Sequence, residues 1–391
     1  VDGRADDANV GGGLMGFGWV STEARTGEII DDLQDLNVTS VKQTIGQYES
    51  TTATLPIDTQ DATPGWQRAT QRGATHLILL DDNPSDPAHG IPSIGYGIIR
   101  NKPDHTDLLA LDIATCEAYL DRRYINDDLS YTNVGQNDIA ADLINRYVLD
   151  GASGLNGIPI RVQYTTAGSG QQRTLTTWKA ASDKTVYSAL TELSGLEGGP
   201  EWYIGWEWQH NPERITPVFY VGDRVGAAAQ AGLGPAATFE MPGPVTSFKF
   251  VDDYSAGKGA NSVIATSTAQ GNTRPQSPAQ TASDPSMPTF EYRWSPSTSI
   301  TDVSTLTSHA GSALTNMQDG AVSVAMTANS NDAPLLGVDY HLGDDIGIVV
   351  VAPAWPDGLE GTARMVSYER TLGMTPTITP ALVNATFTTG M

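Results

Sequence analysis

Neighbouring acids recur along this chain, at Asp31-Asp32, Asp81-Asp82, Asp127-Asp128, Asp252-Asp253 and Asp344-Asp345. Paired carboxyls are the groups that cleave glycosidic bonds, provided they face each other across a cleft at a defined separation. Adjacent residues on a strand point to opposite faces, so these pairs read instead as solvated turns. Asp81-x-Asn83 opens like a calcium loop, but no glycine and bidentate glutamate follow at the required positions. The six histidines, at 76, 89, 105, 210, 309 and 341, never stand three or four apart, so no helical metal pair forms. Cys116 is the only cysteine, which excludes an intrachain disulfide framework and a Cys-rich zinc module. It reads as a core thiol on an apolar helix face rather than a nucleophile. Before Pro92-Ser93-Ile94-Gly95, Ile91 occupies the place where a serine-hydrolase elbow needs its leading glycine.

Two glycine motifs fail on context. Gly11-x-Gly13-x-x-Gly16 has dinucleotide-fingerprint spacing, but that fingerprint needs a strand before it and a helix after it. Here an acidic arm precedes it and Phe17 to Val20 reads as strand. Gly257-Lys258 runs into Gly259 and not into the Ser or Thr of a phosphate loop. No catalytic, cofactor-binding or metal residue is assigned, and no cofactor is expected. The most conspicuous feature is the alternation of Trp202, Ile204, Trp206 and Trp208 with Tyr203, Gly205 and Glu207. It reads as the buried face of a sheet packed on a helix, with sugar stacking or contact between subunits as the open alternatives.

Composition limits the partners. The chain has 391 residues and a formal net charge of −23, with 45 acidic against 22 basic residues. Stable binding of free nucleic acid needs clustered Lys and Arg, and an anionic membrane repels such a chain. Charged residues are 17% of the total, below the roughly 25% of an ordinary soluble chain, while Gly (40) and Pro (23) are abundant. That balance favours short strands and turns. No apolar run approaches the ~20 residues of a membrane span. The polar, acidic start is unlike a signal peptide, so the sequence reads as a soluble chain made in a reducing cytosol.

The elements follow the hydrophobic pattern. Residues 1–16 read as a flexible arm. Strand patterns follow at 38–45, 50–57 and 95–100, and Thr75 to Leu80 is the clearest buried strand. Helices are expected over 112–124, on the spacing of Ile113, Cys116 and Leu120, and over 136–149, 184–193 and 300–317. Strands are expected at 202–208 and 217–221, and again at 239–250, 260–268 and 322–389. The division expected is a first β domain from 17–105 and 216–270, an inserted α+β domain at 106–215, a polar linker at 271–299, and a helix plus second β domain at 300–391.

The ordered string of segments carries a resemblance. Arg25 to Ile30 with Leu33, Val38 to Gln47 (VTSVKQTIGQ) and Ser50 to Ile57 (STTATLPI) are followed by Tyr96 to Arg100 and Ala114 to Tyr124 (ATCEAYLDRRY). Gln136 to Ile144 (QNDIAADLI), Glu201 to Ile204, Ala260 to Val263 and Leu342 to Ile346 continue the order. Together they resemble tail-tip baseplate hub or minor tail proteins of long-tailed, siphovirus-type actinobacteriophages. The resemblance implies a mainly β fold with an α+β insertion: two related β-barrel hub domains plus an α/β inserted domain. It also implies a non-enzymatic homotrimeric ring that closes the tail tube in the virion and opens for DNA ejection. The partners implied are the distal tail protein ring, the tape measure protein C-terminus, other minor tail or central fibre proteins, and phage DNA in transit only, with no direct membrane insertion. Three copies at −23 each suggest an acidic lumen that repels the passing backbone, with Asp31, Asp32, Asp81, Asp82, Asp344 and Asp345 as candidate lumen acids. A tail-associated glycan hydrolase or carbohydrate-binding adhesin using Trp202 to Trp208 is the alternative.

Overall fold

The structure, a computed structural model, describes residues 18–57, 65–85, 89–151, 156–196, 198–229, 234–267, 273–296, 300 and 302–389. The expected arm and its glycine motif lie outside the described residues. The chain divides into two units, one of residues 1–246 with 327–391 and the other of residues 247–326.

The first sheet of the larger unit is built from β1 (Gly18–Glu23), β2 (Ile29–Asp32) and β3 (Asn37–Val38), with β5 (Ser50–Pro56) following β4 (Ser40–Thr44). After the short helix α1 (Trp66–Ala69) come β6 (Thr75–Asp81), β7 (Ile91–Lys102) and β8 (Leu108–Thr115). The strand order is β2-β1-β6-β7-β8-β5-β3, with antiparallel neighbours throughout. The apolar run of β6 reflects burial on both faces. Leu77 and Leu79 point into a core with Trp19, Leu55, Tyr96 and Leu111, while Ile78 and Val20 join the core of the inserted segment. Alternate side chains therefore serve different cores, which is why this strand shows no polar alternation.

The helix expected over 112–124 is not formed as such. Residues 112–115 finish β8, paired to β5 and β7, and a 3-10 helix takes over at Cys116–Arg122. Ile113 packs in the sheet core, whereas Cys116 and Leu120 pack under the insertion. The spacing mimicked one helical stripe, but its members serve opposite sides of the sheet.

The insertion comprises β9 (Leu129–Gly135), α2 (Gln136–Tyr147), β10 (Arg161–Tyr164), β11 (Gln172–Trp178), α3 (Val186–Ser194), β12 (Glu201–His210) and β13 (Glu213–Gly222). β13 lies between β10, parallel to it, and β12, antiparallel to it. Residues 216–222 thus belong to the insertion's own sheet rather than to the first β domain. The expected helices at α2 and α3 are present, burying Ile139, Leu143 and Tyr147 from one and Val186, Leu190 and Leu193 from the other. Thr185 caps α3 by accepting from the Ser188 N–H.

A second sheet brings distant segments together. β14 (Thr238–Met241) is followed by β15 (Val245–Asp253), which carries the chain into the smaller unit. That unit holds β16 (Ser262–Ala265) between β17 (Gln280–Thr281) and β18 (Glu291–Trp294), with α4 (Val303–Met317) packed on it. Leu306, Ala310 and Met317 bury against Val263 and Ala265, and Asp302 caps the helix through the Thr305 N–H. The expected linker at 271–299 therefore supplies two strands: its side chains bury little, but its backbone pairs with β16. β19 (Ala321–Asn329) returns to the larger unit, followed by β20 (Asp345–Ala352), β21 (Trp355–Thr371) and β22 (Thr377–Thr389). There β14 runs parallel to β20, β21 lies antiparallel to both β20 and β22, and β4 adds to the far end of β21. β14 and β4, both assigned from sequence to the first β domain, pair instead in this second sheet. The result is the mainly β fold with an α+β insertion that the sequence implies.

A buried polar relay joins these parts. Tyr368 of β21 donates its hydroxyl to Gln43 Oε1 of β4 at 3.1 Å. Gln43 Nε2 donates to the Ile204 carbonyl at 2.9 Å, and the Ile204 N–H donates to Glu117 Oε1 at 2.9 Å. Burial pushes Glu117 up from its ordinary 4.5 to about 7, against hydrogen bonds from Thr115 and Ile204 that favour the carboxylate. Burial also pushes His76 down from 6.5 to about 4, where it lies edge-on to Trp206 with ring centroids 5.1 Å apart.

The two shifts act at opposite ends of the pH scale. The proton on Glu117 adds stability in full below 4.5, and this is lost as pH rises through about 7. Neutral His76 adds stability above 6.5 that is lost as pH falls through about 4. Glu117→Gln keeps the acceptor for Ile204 and removes the titration. Urea denaturation at pH 5 and pH 8 should show the wild type losing on the order of 2 kcal/mol more than this variant over that interval. Equal losses in the two proteins would contradict the assignment.

Candidate functional site

The tryptophan stripe lies inside the molecule. Trp202, Ile204 and Trp206 are buried, and Trp208 is half-buried with its indole N–H on the Gly90 carbonyl at 2.5 Å. Trp202 stacks on Phe219 at 5.6 Å. The Trp206 indole lies so close over Gly95 of β7 that a methyl group there would come within 2.2 Å of Cε2. The stripe locks the insertion onto the first sheet and leaves no three-ring platform for a sugar.

The acidic pairs divide. Asp344 accepts the amides of Ala227 at 2.5 Å and His341 at 2.8 Å. Burial raises its pKa, but hydrogen bonds from His341 and from those amides outweigh burial and leave the carboxyl below its usual range. Asp345 pairs with Arg224 at 2.5 Å and accepts the Ala229 amide at 2.8 Å. Asp81 holds Arg370 in a bidentate pair at 2.7 and 2.9 Å, with the two side chains 12% and 6% exposed. These three acids, expected to face a channel, are occupied in tying loops and sheets together, because each lies next to an arginine or backbone amides in need of an acceptor. Asp32 and Asp82 are exposed and Asp31 is half-buried at the edge strand β2.

The Asp81–Arg370 pair forms part of the wall of a cavity of about 470 Å³. Among the described residues its lining includes Leu80, Asp82, Ser330, Pro334, Leu336, Tyr340 and Ile378. Tyr340 is 1% exposed and its ring meets Phe239 edge-on at 5.5 Å. Its hydroxyl, like that of Ser330, is buried without a hydrogen-bond partner. Burial raises the Tyr340 pKa, Arg370 opposes this, and Asp81 adds to it, so the hydroxyl stays protonated. Sequence reasoning found Asp81 and Asp82 but missed Tyr340, Ser330 and Arg370, which reach this wall from segments about 250 to 290 residues further along.

Among the described residues no group of three or more His, Cys, Asp or Glu is placed to hold a metal ion. Burial, with Glu117 alongside, pushes the Cys116 thiol well up and away from the reactive thiolate. Ser93 donates to the Leu79 carbonyl within the sheet.

The buried pair generates a stability test. Arg370→Met leaves Asp81 as an unpaired buried carboxylate and should cost about 3–5 kcal/mol in urea denaturation. The double variant Arg370→Met, Asp81→Leu should recover most of that loss. A single variant as stable as the wild type would show that the pair carries no structural load.

No family model matches the chain, and no curated protein matches it. Similarity appears in solved structures. The tail protein from Neisseria meningitidis aligns with a TM-score of 0.54 at 12% identity, covering 94% of this chain and 97% of that one. The 43 kDa tail protein of prophage MuSo2 from Shewanella oneidensis gives 0.50 at 9% identity over 94% and 98%. A chain of the lidded Francisella PdpA–VgrG complex gives 0.50 at 9% identity over 94% of this chain and 52% of that one. The likeness is one of fold, sustained over nearly the whole length.

Proposed function

We propose that this chain is a structural component of a phage tail tip, a baseplate hub or minor tail protein that forms a trimeric ring closing the tail tube. In this reading it links the tube to host-recognition proteins and opens for DNA passage. Its neighbours are the distal tail protein ring, the C-terminus of the tape measure protein, and other minor tail or central fibre proteins. It is made in the host cytoplasm and resides in the virion. The observation that carries the reading is the full-length fold likeness to a bacterial tail protein, 94% of one chain on 97% of the other. Such coverage includes the insertion and both large sheets, so it reaches beyond a shared barrel.

Two features support it. A closed ring built from repeated heterologous contacts needs no catalytic cleft, and of the tryptophans that the carbohydrate alternative requires, Trp202 and Trp206 are buried and Trp208 is half-buried against the same core. With Asp81, Asp344 and Asp345 occupied, an acidic lumen rests on Asp31, Asp32 and Asp82 and on the net charge of −23. No helix among the described residues is long and apolar enough to cross a membrane.

Imaging of intact particles by electron cryomicroscopy, with a label at the C-terminus, tests the reading. Three copies at the tube's distal end are expected. A sixfold ring, a single copy, or a position away from the tip would overturn it.

A further inference from the structure

We propose that the cavity beside Asp81 and Arg370 is a binding site for a small neutral group, an apolar body carrying one hydroxyl or carbonyl. The cavity lies within the larger unit and needs no other chain for its walls. Its size, about 470 Å³, falls in the range of sites that enclose a small ligand. The walls decide the chemistry. Leu80, Pro334, Leu335, Leu336, Val338 and Ile378 make them mostly apolar.

Charge narrows the choice. Arg370 is the one cation among the described lining residues, and both its terminal nitrogens are bound to Asp81. An anion would therefore have to break a bidentate buried pair, and would also meet the Asp82 carboxylate. The polar demand comes from two hydroxyls. Tyr340 and Ser330 line the same cavity, and both oxygens are buried without partners just behind its surface, so a ligand oxygen meets them after a small side-chain shift. A buried hydroxyl without a partner is costly, so a ligand oxygen that accepts from Tyr340 or bonds to Ser330 repays the site. Phe239 meets the tyrosine ring edge-on at 5.5 Å.

The same chemistry has two sources, a free small molecule or a tyrosine-like side chain donated by an adjoining protein. The probes are p-cresol, toluene and benzoate for the free molecule, and N-acetyl-tyrosinamide for the donated side chain. Binding is followed by calorimetry and by chemical-shift changes in the full chain. We expect p-cresol to bind more tightly than toluene and benzoate not to bind. Tyr340→Phe removes no hydrogen bond, so it should fold with an unchanged or raised melting temperature. It should weaken p-cresol roughly three- to tenfold, the size of one neutral hydrogen bond, and leave toluene unaffected. Leu336→Trp fills the cavity and should abolish binding of every probe. Tighter binding of N-acetyl-tyrosinamide than of p-cresol assigns the source to a protein segment, and its exclusion assigns it to a free molecule. If no probe binds, if benzoate binds as well as p-cresol, or if Tyr340→Phe leaves p-cresol affinity unchanged, the cavity holds only water and the proposal fails. None of these outcomes depends on where the protein sits in a particle, so failure here leaves the tail-tip reading standing.

Discussion

Among the described residues strand β12 has a strand neighbour on one edge only, yet Trp202 and Ile204 on it are buried. A buried edge cannot leave its peptide groups bare, because each unpaired group costs about as much as a lost hydrogen bond. Gly46 donates its amide to the Trp202 carbonyl at 2.7 Å, Gln43 donates to the Ile204 carbonyl, and Glu117 accepts the Ile204 amide. The second sheet enters through Tyr368 on Gln43. Once the edge is closed in this way, the insertion and the two sheets are held in one register.

Charged residues are scarce, and several of the best-placed ones sit at the seams. Arg364 of β21 reaches Glu201 of β12 with two nitrogens and also donates to the carbonyls of Gly343 and Val225. Arg370, six residues along the same strand, holds Asp81 of the first sheet. Pairs this buried gain little net stability, since desolvation offsets the attraction. Their effect is on uniqueness: a shift of β21 by one residue would turn both arginines to the other face and strand two acids. A low content of charged residues and a few well-placed interior pairs are therefore compatible features of one design.

The enclosed tryptophans, the capped edge and the paired acids all fix the seams between the insertion and the two sheets. Among the described residues, exposed Asp32 and Asp82 and the two partnerless hydroxyls of Tyr340 and Ser330 are among the polar groups left without such a task. Those are the places where an outside partner or ligand has something to gain.

Local pattern by itself determined a good deal of this protein. Helices α2, α3 and α4 were legible from apolar spacing, β6 from its unbroken apolar run, and the β12–β13 hairpin from alternation around Asn211-Pro212. The burial of the tryptophan stripe followed from the same alternation. Which strands would meet was decided only by the tertiary structure. Residues 40–44 pair with β21 more than 320 residues further along, and residues 238–241 with β20 more than 100 further along, because backbone hydrogen bonding carries no residue code. Ile113 and Cys116 share a helical spacing but lie on opposite sides of a sheet, since pairing with two neighbours outweighed helix propensity. The shifted Glu117, the occupied Asp81, Asp344 and Asp345, and the partnerless Tyr340 were likewise invisible in sequence. A carboxylate or hydroxyl acquires its chemistry from what is packed against it, and that is settled by folding.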